Sequence, residues 1–335
     1  MYSVTVLTAA YNAEKYISET IDSILSQTYT DFEYIIIDDN STDNTVKIIN
    51  DYLIMDHRIK LIQLDKNIGP YGAANVGLKK AEGRYIIRTD ADDISLPNRI
   101  ELQINFLKSN PKIRACGSWA MRIDENSKKL KNQIIKSTTS SASLKWQLFL
   151  HCPLVHSSAC IDKEIFEEMG WYNSSYAAQD YRMWCYLANR ELLAQIPEVL
   201  VYFRKSPNGI SFSERGIQKE FHYKVSQDHI YNVTGEKWSI ETIKSLNAIG
   251  LVEKGYPVSK AIKASRLWDQ HWIRDKSLSN EEVQELFYLS TYLRKTFLRR
   301  NRRRQFMSVL LNINSYYFPQ PAFKTNPRVP NILPY

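Results

Sequence analysis

The chain has 335 residues, of which 44% are hydrophobic and 24% charged, an ordinary globular mixture that fits one large domain with an appendage or two domains. No stretch stays apolar for about 20 residues, so the sequence predicts no membrane-spanning helix. The N-terminus lacks the basic segment that opens a signal peptide, and the four cysteines form no CxxC pair. We therefore expect a cytoplasmic protein with reduced thiols.

Strands and helices alternate through the first hundred residues. Runs rich in apolar and β-branched residues predict strands at 3–9, 33–39, 59–64 and 84–89. Apolar residues at helical spacing predict helices at 14–27, through Val46 to Leu53, at 73–83 with Gly83 as the C-cap, and from Pro97 onward. Such alternation predicts an α/β fold, with a mostly parallel central sheet and helices on both faces.

From about Ala115 the pattern becomes mixed. Residues 155–161 and 191–203 are typical of strands, 163–170 and 179–190 of short helices. After about Ser211 the chain is mainly helical and ends in a proline-rich tail. We expect an α/β domain over 1–212 and a helical, basic region over 213–335.

Three polar clusters directly follow predicted strands: Tyr11-Asn12, Asp38-Asp39 and the segment 90–93. Ligands of open α/β sheets bind at the carboxyl ends of the strands. Because these ends meet at one edge of the sheet, the clusters can converge although about 80 residues separate the first from the last.

The segment 90–93 concentrates negative charge, since Asp90, Asp92 and Asp93 place three mutually repelling carboxylates in four residues. An Asp-x-Asp at the end of a buried strand can hold Mg²⁺ or Mn²⁺ and leave positions open for phosphate oxygens. The ion would offset the repulsion and stabilise a diphosphate leaving group. The residues alone leave open a solvated acidic loop or a helix start made acidic for its dipole.

Gln179 and Asp180 begin a predicted helix with an apolar face. An aspartate at that position is a helix cap or, if the fold points it at the site, a general base. His156 lies in a predicted apolar strand, where a lone histidine is either a core residue or a site ligand.

Several motifs occur in an order that identifies a family. They are TVLTAAYNAEKYISETIDSILSQTY, IIIDDNSTDNT, NIGPYGAANVGLKKAEGRYIIRTDADD, HCPLVHSSACI, AAQDYRMW and VLVYFRKSPNGIS, between about residues 2 and 212. The chain resembles the family 2 inverting glycosyltransferases, which have the GT-A nucleotide-diphospho-sugar transferase fold. The resemblance implies that Asp39 pairs with the nucleotide base, that Ala9 and Tyr11 flank this pocket, and that Asp90 contacts the ribose.

The same resemblance implies that Asp92 binds the metal ion, Mn²⁺ or Mg²⁺, and that Asp180 is the catalytic base. Asp180 would take the proton of the acceptor hydroxyl while that oxygen attacks the anomeric carbon, giving inversion in one step. Arg204 and the loop to Ser211 match a segment that closes over the diphosphate.

Two positions depart from the family. Gln179 stands where a glutamate is usual, so contacts to the acceptor can differ. Ser206 stands where many relatives have a histidine, and His156 is a possible substitute.

The net charge of +8 is concentrated near the C-terminus. The run from Arg294 to Arg304 has seven basic residues and no acid, so it accounts for all but one of the excess positive charges. Interleaved with apolar residues, it predicts a basic amphipathic helix, and each cation near an anionic leaflet contributes about 1 kcal/mol. The predicted membrane patch consists of Arg299, Arg300, Arg302, Arg303 and Arg304. A solvated helix over an ordinary core is the alternative; nucleic acid is disfavoured, because no nucleic-acid-binding fold accompanies the single run.

Taken together, the sequence predicts a metal-dependent inverting hexosyl- or N-acetylhexosaminyltransferase. The resemblance favours a UDP-sugar donor and a glycan or lipid-linked acceptor of surface polysaccharide synthesis, at the inner face of the plasma membrane. A nucleotidyltransferase would need a Gly-rich basic loop after the first strand, which this sequence lacks. A non-catalytic nucleotide-sugar or membrane-surface binding protein is the alternative from another class, and the retention of Asp39, Asp92 and Asp180 argues against it.

Overall fold

The computed structural model describes residues 3–173, 178–204, 215–251 and 255–301. Ser211, Ser206, Arg302, Arg303 and Arg304 lie outside these ranges, so the predictions that concern them stay predictions. The described chain forms two compact units, one from residues up to 141 with 154–222, the other from 142–153 with 223 onward.

The elements, in chain order, begin with a regular alternation. They are β1 Val4–Ala10, α1 Ile17–Leu25, β2 Phe32–Asp38, α2 Thr45–Met55, β3 Ile59–Gln63, α3 Gly69–Lys80, β4 Tyr85–Arg88, β5 Ile94–Ser95 and α4 Arg99–Ser109. The elements that follow are β6 Ala115–Ile123, β7 Lys129–Ile135, α5 Ser141–Gln147, β8 Cys160–Asp162, α6 Glu164–Glu168, α7 Gln179–Asn189 and β9 Leu193–Arg204. Four helices complete the described chain: α8 Arg215–Thr234, α9 Ile240–Gly250, α10 Val258–Trp272 and α11 Asn280–Arg300.

The first unit is built on one sheet with the strand order β3-β2-β1-β4-β8-β6-β9-β5, in which β7 pairs with β6. The pairs β1 with β2, β1 with β4, β2 with β3 and β6 with β9 are parallel. The pairs β4 with β8, β5 with β9, β6 with β7 and β6 with β8 are antiparallel. The α/β fold class is confirmed, and the sheet is mixed, because short antiparallel pairs join its parallel ones. One of them follows from the turn between β6 and β7, which is too short for the crossover that a parallel pair requires.

Helices cover both faces of the parallel part of the sheet. Alternate residues of a strand point to opposite faces. The even-numbered residues of β1 and β2 pack in one core with the apolar residues of α1, α2 and α4. The odd-numbered residues meet α3, where Gly77 lies so close that a Cβ would fall 2.4 Å from methyl carbons of Leu7 and Ile37.

Three local predictions were wrong. Helix α3 begins at Gly69 and not at residue 73, because Pro70 fits the first turn of a helix, where no N–H donor is needed. It ends at Lys80, and Gly83 is not its cap: a Cβ there would lie 2.4 Å from the β1 backbone, so Gly83 permits close packing. Residues 156–158 form a 3₁₀ turn before the short strand β8, because the Ser158 hydroxyl bonds the Val155 carbonyl at 2.7 Å.

The second unit has its own core, rich in tryptophan. Trp146 packs there with Phe149 and with side chains of α8 to α11, and its carbonyl accepts a hydrogen bond from the Trp268 indole at 2.9 Å. Nearby, Arg294 is buried and forms an ion pair with Asp269.

The basic segment contributes apolar residues to this core. Leu293, Phe297 and Leu298 are buried, so these apolar residues of α11 pack inside the unit, while the membrane contact of the basic segment stays a prediction. Arg299 and Arg300 are exposed in its last turn. Among the described residues, no helix has the length and apolar character needed to cross a membrane.

Candidate active site

The strand order places a crevice at the carboxyl ends of β1 and β4. The chain runs from β1 to β2 and β3 on one side of β1 and then returns to β4 on its other side. Ligands bind at such a switch point. Ala9, half-buried, and Tyr11, 52% exposed, lie at the end of β1, while Asp90 follows β4.

Two acids lie at the carboxyl end of β2 beside this crevice. The Asp39 N–H donates to the Ala10 carbonyl at 2.8 Å, and its carboxylate accepts the Ile68 N–H at 2.8 Å. Burial raises the pKa of Asp39. Asp38 accepts the Ser41 N–H at 3.1 Å through one oxygen, while its buried Oδ1 has no hydrogen-bond partner within the described ranges. A buried acceptor of this kind calls for a donor group, which a nucleoside could supply. The sequence placed Asp38 in this cluster but indicated no role for it.

The three acids of segment 90–93 have three different environments. Asp90 forms an ion pair at 2.9 Å with Arg88, whose side chain is buried. Asp93 is fully buried, where its carboxylate accepts hydrogen bonds from the Ser157 hydroxyl and, at 2.7 Å, from the Arg204 N–H. Burial and the neighbouring charge of Asp90 raise the pKa of Asp92 to about 6. Asp90 thus has an arginine partner and Asp93 has two hydrogen-bond donors, whereas the raised pKa of Asp92 indicates a carboxylate that a cation would stabilise.

The surroundings of Asp92 fit a divalent cation. No group of three or more His, Cys, Asp or Glu side chains arranged for a metal occurs in the described part of the chain. Mg²⁺ is commonly held by one or two carboxylates together with substrate phosphates, so such a group is not needed. The residue that would hold the ion is Asp92, because the charge of Asp90 is already paired with Arg88.

Asp180 lies in the first turn of α7, after a backbone feature that the sequence did not indicate. Ala178 has φ 61°, a left-handed conformation that is unusual for a residue other than glycine and is often found at functional sites. Burial raises the pKa of Asp180, and the charge of Asp90 raises it further. The fold thus brings Asp90 and Asp180 into one electrostatic neighbourhood, as both candidate roles require. The Asp180 carboxylate also accepts the Tyr181 N–H, so it satisfies a helix-start donor as well.

His156 and Gln179 have different surroundings. His156 shares a 2.8 Å hydrogen bond with the Tyr172 hydroxyl, and burial together with the positive Arg88 lowers its pKa to about 3, so the ring is neutral. Gln179 is buried, and its side-chain oxygen accepts the Asn173 N–H at 3.1 Å. Gln179 therefore supports the loop before α7, and a role in acceptor binding stays a prediction for both residues.

Arg204 ends β9 with its side chain fully buried. Its Nε donates to the Asp92 carbonyl at 2.7 Å, and a terminal nitrogen forms an ion pair with Glu19 at 3.1 Å. These contacts hold the segment 90–93 in place. A contact between Arg204 and the diphosphate stays a prediction.

Polar side chains on α1 and just after its end are the main feature that the sequence did not indicate. Thr20 donates to the Asp93 carbonyl at 2.9 Å, Ser23 accepts the Ser95 N–H at 3.1 Å, and Gln27, two residues after α1, donates to the Leu96 carbonyl at 2.7 Å. All three side chains are buried. Positions 20, 23 and 27 recur at helical spacing, and this pattern could have indicated that these side chains bind a neighbouring backbone.

Comparisons with known proteins agree with this geometry. The sequence model described as glycosyl transferase family 2 matches residues 5–170. An uncharacterized glycosyltransferase of Haemophilus influenzae is 32% identical over 283 residues, which are 82% of this chain and 87% of that protein. The crystal structure of Staphylococcus aureus TarS 1–349 in complex with UDP-GlcNAc has a TM-score of 0.57 at 18% identity, covering 96% of this chain and 93% of the other. The mannosyltransferase PcManGT of Pyrobaculum calidifontis in complex with GDP-Man and Mn²⁺ has a TM-score of 0.52 at 16% identity, covering 90% and 87%. The described fold matches these two structures, and the chain belongs to glycosyltransferase family 2.

Proposed function

We propose that this glycosyltransferase is metal-dependent and inverting, and that it transfers a hexosyl or N-acetylhexosaminyl group from a UDP-sugar to a hydroxyl of a glycan or lipid-linked acceptor. The observation that carries the proposal is that Asp180 lies within electrostatic reach of Asp90, two residues before Asp92. Asp180 is about 90 residues further along the chain than Asp90, yet its pKa responds to the charge of Asp90. A single displacement requires a base near the acid that binds the metal ion.

Asp180 is the base of the proposed reaction. It accepts the proton of the acceptor hydroxyl while that oxygen forms a bond to the anomeric carbon of the donor. The bond from this carbon to the diphosphate oxygen breaks at the same time, with its electron pair leaving on the nucleotide diphosphate. Attack opposite the leaving group inverts the anomeric centre. The raised pKa of Asp180 suits this role, since a base is most effective when its pKa approaches the working pH.

The other acids bind and orient the donor in this proposal. Asp39 binds the nucleotide base and Asp90 binds the ribose. Asp92 would hold Mn²⁺ or Mg²⁺ together with diphosphate oxygens. The bound cation would supply charge neutralisation for the leaving diphosphate. Ala9 and Tyr11 flank the base. Arg88, which pairs with Asp90, keeps that side chain in place when no donor is bound.

The donor and the location are proposed on weaker support. The two solved structures contain UDP-GlcNAc and GDP-Man, so the sugar and the base are open to experiment. The resemblance favours UDP and surface polysaccharide synthesis at the inner membrane face. For the membrane contact, the described support is electrostatic only: Arg299 and Arg300 are exposed at the end of α11, next to three more arginines.

The test is nucleotide release from a panel of UDP-, GDP- and dTDP-sugars with Mn²⁺ and then with EDTA. We expect slow hydrolysis of one donor that stops when EDTA removes the metal. If no donor is turned over and UDP binds equally well with and without the metal ion, the proposal is contradicted and a non-catalytic binding protein is favoured.

A variant separates catalysis from binding. Asp180→Asn removes the base but keeps its shape, so transfer should fall by about 10²- to 10⁴-fold while UDP binding is kept. Asp51→Asn, an exposed acid on α2, is the matched control and should behave as the unmodified enzyme. If Asp180→Asn transfers sugar at the normal rate, Asp180 is not the base.

A further inference from the structure

Arg204 joins three separate segments around the acids. Its backbone N–H donates to Asp93 and its Nε to the Asp92 carbonyl, both at 2.7 Å. One terminal nitrogen reaches the turn between β6 and β7, donating to the Asp124 carbonyl at 3.1 Å and the Ser127 hydroxyl at 3.0 Å. The guanidinium group therefore spans the acid segment and a turn that lies about 30 residues further along the chain.

Glu19 completes this arrangement from α1. It forms the 3.1 Å ion pair with the other terminal nitrogen of Arg204 and also accepts the Ser127 hydroxyl. The guanidinium lies 4.2 Å from the ring centre of Tyr16, one turn earlier on the same helix. Ser127 has φ 62°, a strained conformation that these side-chain bonds help to hold. Arg204 is fully buried, whereas the Glu19 side chain is 44% exposed.

We propose that Glu19 and Arg204 form a positioning pair that fixes the Asp92 carboxylate for its cation by holding the Asp92 main chain. The proposal rests on the proposed function, because it assigns the cation to Asp92. Arg204 touches the Asp92 carbonyl and not its carboxylate, so the pair sets the position of the ligand without coordinating the ion. Glu19 orients the guanidinium through a charge-assisted hydrogen bond, which fixes the direction of its Nε.

A purely structural role is the alternative, and the two roles differ in what they change. If the pair only stabilises the fold, its loss lowers the melting temperature and leaves metal affinity unchanged. If it positions Asp92, its loss weakens the cation site even where the fold is intact. Residues that orient a metal ligand typically contribute 10- to 100-fold to metal affinity.

The experiment measures Mn²⁺ binding to the full chain in the presence of UDP, by titration calorimetry and by the electron paramagnetic resonance of free Mn²⁺. Glu19→Gln removes the charge and keeps the shape, and Ser127→Ala removes a neutral partner of both residues. Glu125→Gln is the matched control, because Glu125 is an exposed acid of the same turn and pairs with Lys15, at 3.5 Å. Asp92→Asn tests the cation site itself.

We expect Glu19→Gln to raise the Mn²⁺ dissociation constant about tenfold and Ser127→Ala to raise it less. Glu125→Gln should change neither affinity nor melting temperature. If Glu19→Gln binds Mn²⁺ with normal affinity while Asp92→Asn binds Mn²⁺ weakly, the positioning role of Glu19 is overturned and the metal assignment of Asp92 stands. Normal affinity in Asp92→Asn overturns the metal assignment of the proposed function and the inference with it.

Discussion

Gln27, two residues after the end of α1, offers a direct measure of how strongly one side chain holds the chain between β5 and α4. Its amide nitrogen donates to the Leu96 carbonyl at 2.7 Å, and its oxygen accepts the Ile100 N–H at 3.0 Å. Ile100 lies in the first turn of α4, where N–H groups have no partner within the helix. One side chain that is 4% exposed thus bonds a carbonyl and satisfies a buried helix-start N–H.

Replacing Gln27 with leucine nearly keeps the volume and removes three hydrogen bonds, those to the Ser23 and Leu96 carbonyls and that from the Ile100 N–H. The Leu96 carbonyl still accepts the Arg99 N–H at 3.0 Å, so the Ile100 N–H is the buried group that loses its partner. A buried polar group left without a partner costs about 1–3 kcal/mol, and the leucine recovers a little through burial of its apolar surface. We therefore expect Gln27→Leu to lower the free energy of unfolding by about 1–3 kcal/mol, which in a unit of this size corresponds to a melting temperature about 3–9 °C lower.

Urea denaturation followed by circular dichroism gives the change in midpoint. Thr28→Val is the matched control, because the neighbouring Thr28 hydroxyl is exposed and bonds the Glu101 side chain at 2.7 Å. Its loss should change the free energy by less than about 0.5 kcal/mol. Two results would refute this account of the Gln27 hydrogen bonds. One is a Gln27→Leu protein as stable as the unmodified protein, and the other is a Thr28→Val protein destabilised as much as Gln27→Leu.

Three further predictions concern stability. Gly83→Ala places a Cβ 2.4 Å from the β1 backbone and should lower the free energy of unfolding by about 1–3 kcal/mol in urea denaturation. The Cβ of Gly170→Ala meets no atom within 4 Å, so this variant should lose only the strain of φ +72°, about 1 kcal/mol. Equal losses of stability in the two variants would contradict the packing argument. Burial lowers the pKa of His229 to about 4, below its value near 6.5 in the unfolded chain. The stability that the neutral ring contributes is therefore complete above pH 6.5 and is lost as the pH falls toward 4. Between pH 6.5 and 5, the free energy of unfolding should decline by about 1–2 kcal/mol less in His229→Phe than in the unmodified protein, and equal declines would contradict this account. Asp269→Ala leaves the buried Arg294 without its partner and should cost about 3–5 kcal/mol by thermal denaturation, while a change below about 1 kcal/mol would show that Arg294 finds other acceptors.

Local patterns predicted the first four strands of the first unit well, since each is a short apolar run bounded by polar residues. The prediction of α3 was less accurate because Pro and Gly near its start indicate a turn and a helix start equally well. The placement of Asp39 and Asp90 at strand ends followed from the order of the elements. Those positions do not depend on any contact between distant residues.

Contacts between distant residues are what the sequence could not supply. The bond from Arg204 to the Asp92 carbonyl joins residues 112 positions apart, and neither residue type indicates the other. The antiparallel pairs of the second half of the sheet involve the short strands β5 and β8, whose periodicity is too brief to indicate a partner. Likewise, nothing in the composition of 142–153 assigns this segment to the helical unit.

The division of labour among Asp90, Asp92 and Asp93 has a consequence for the order in which ligands bind. Arg88 neutralises the first acid and burial favours the protonated form of the third, so the segment offers an incoming cation little more than one free charge. We expect such a site to hold a metal weakly until a diphosphate adds its own oxygens. Metal and nucleotide would then be reciprocal ligands, each raising the affinity for the other by the same factor. The enzyme would then bind the metal ion and the nucleotide together, as one charged complex.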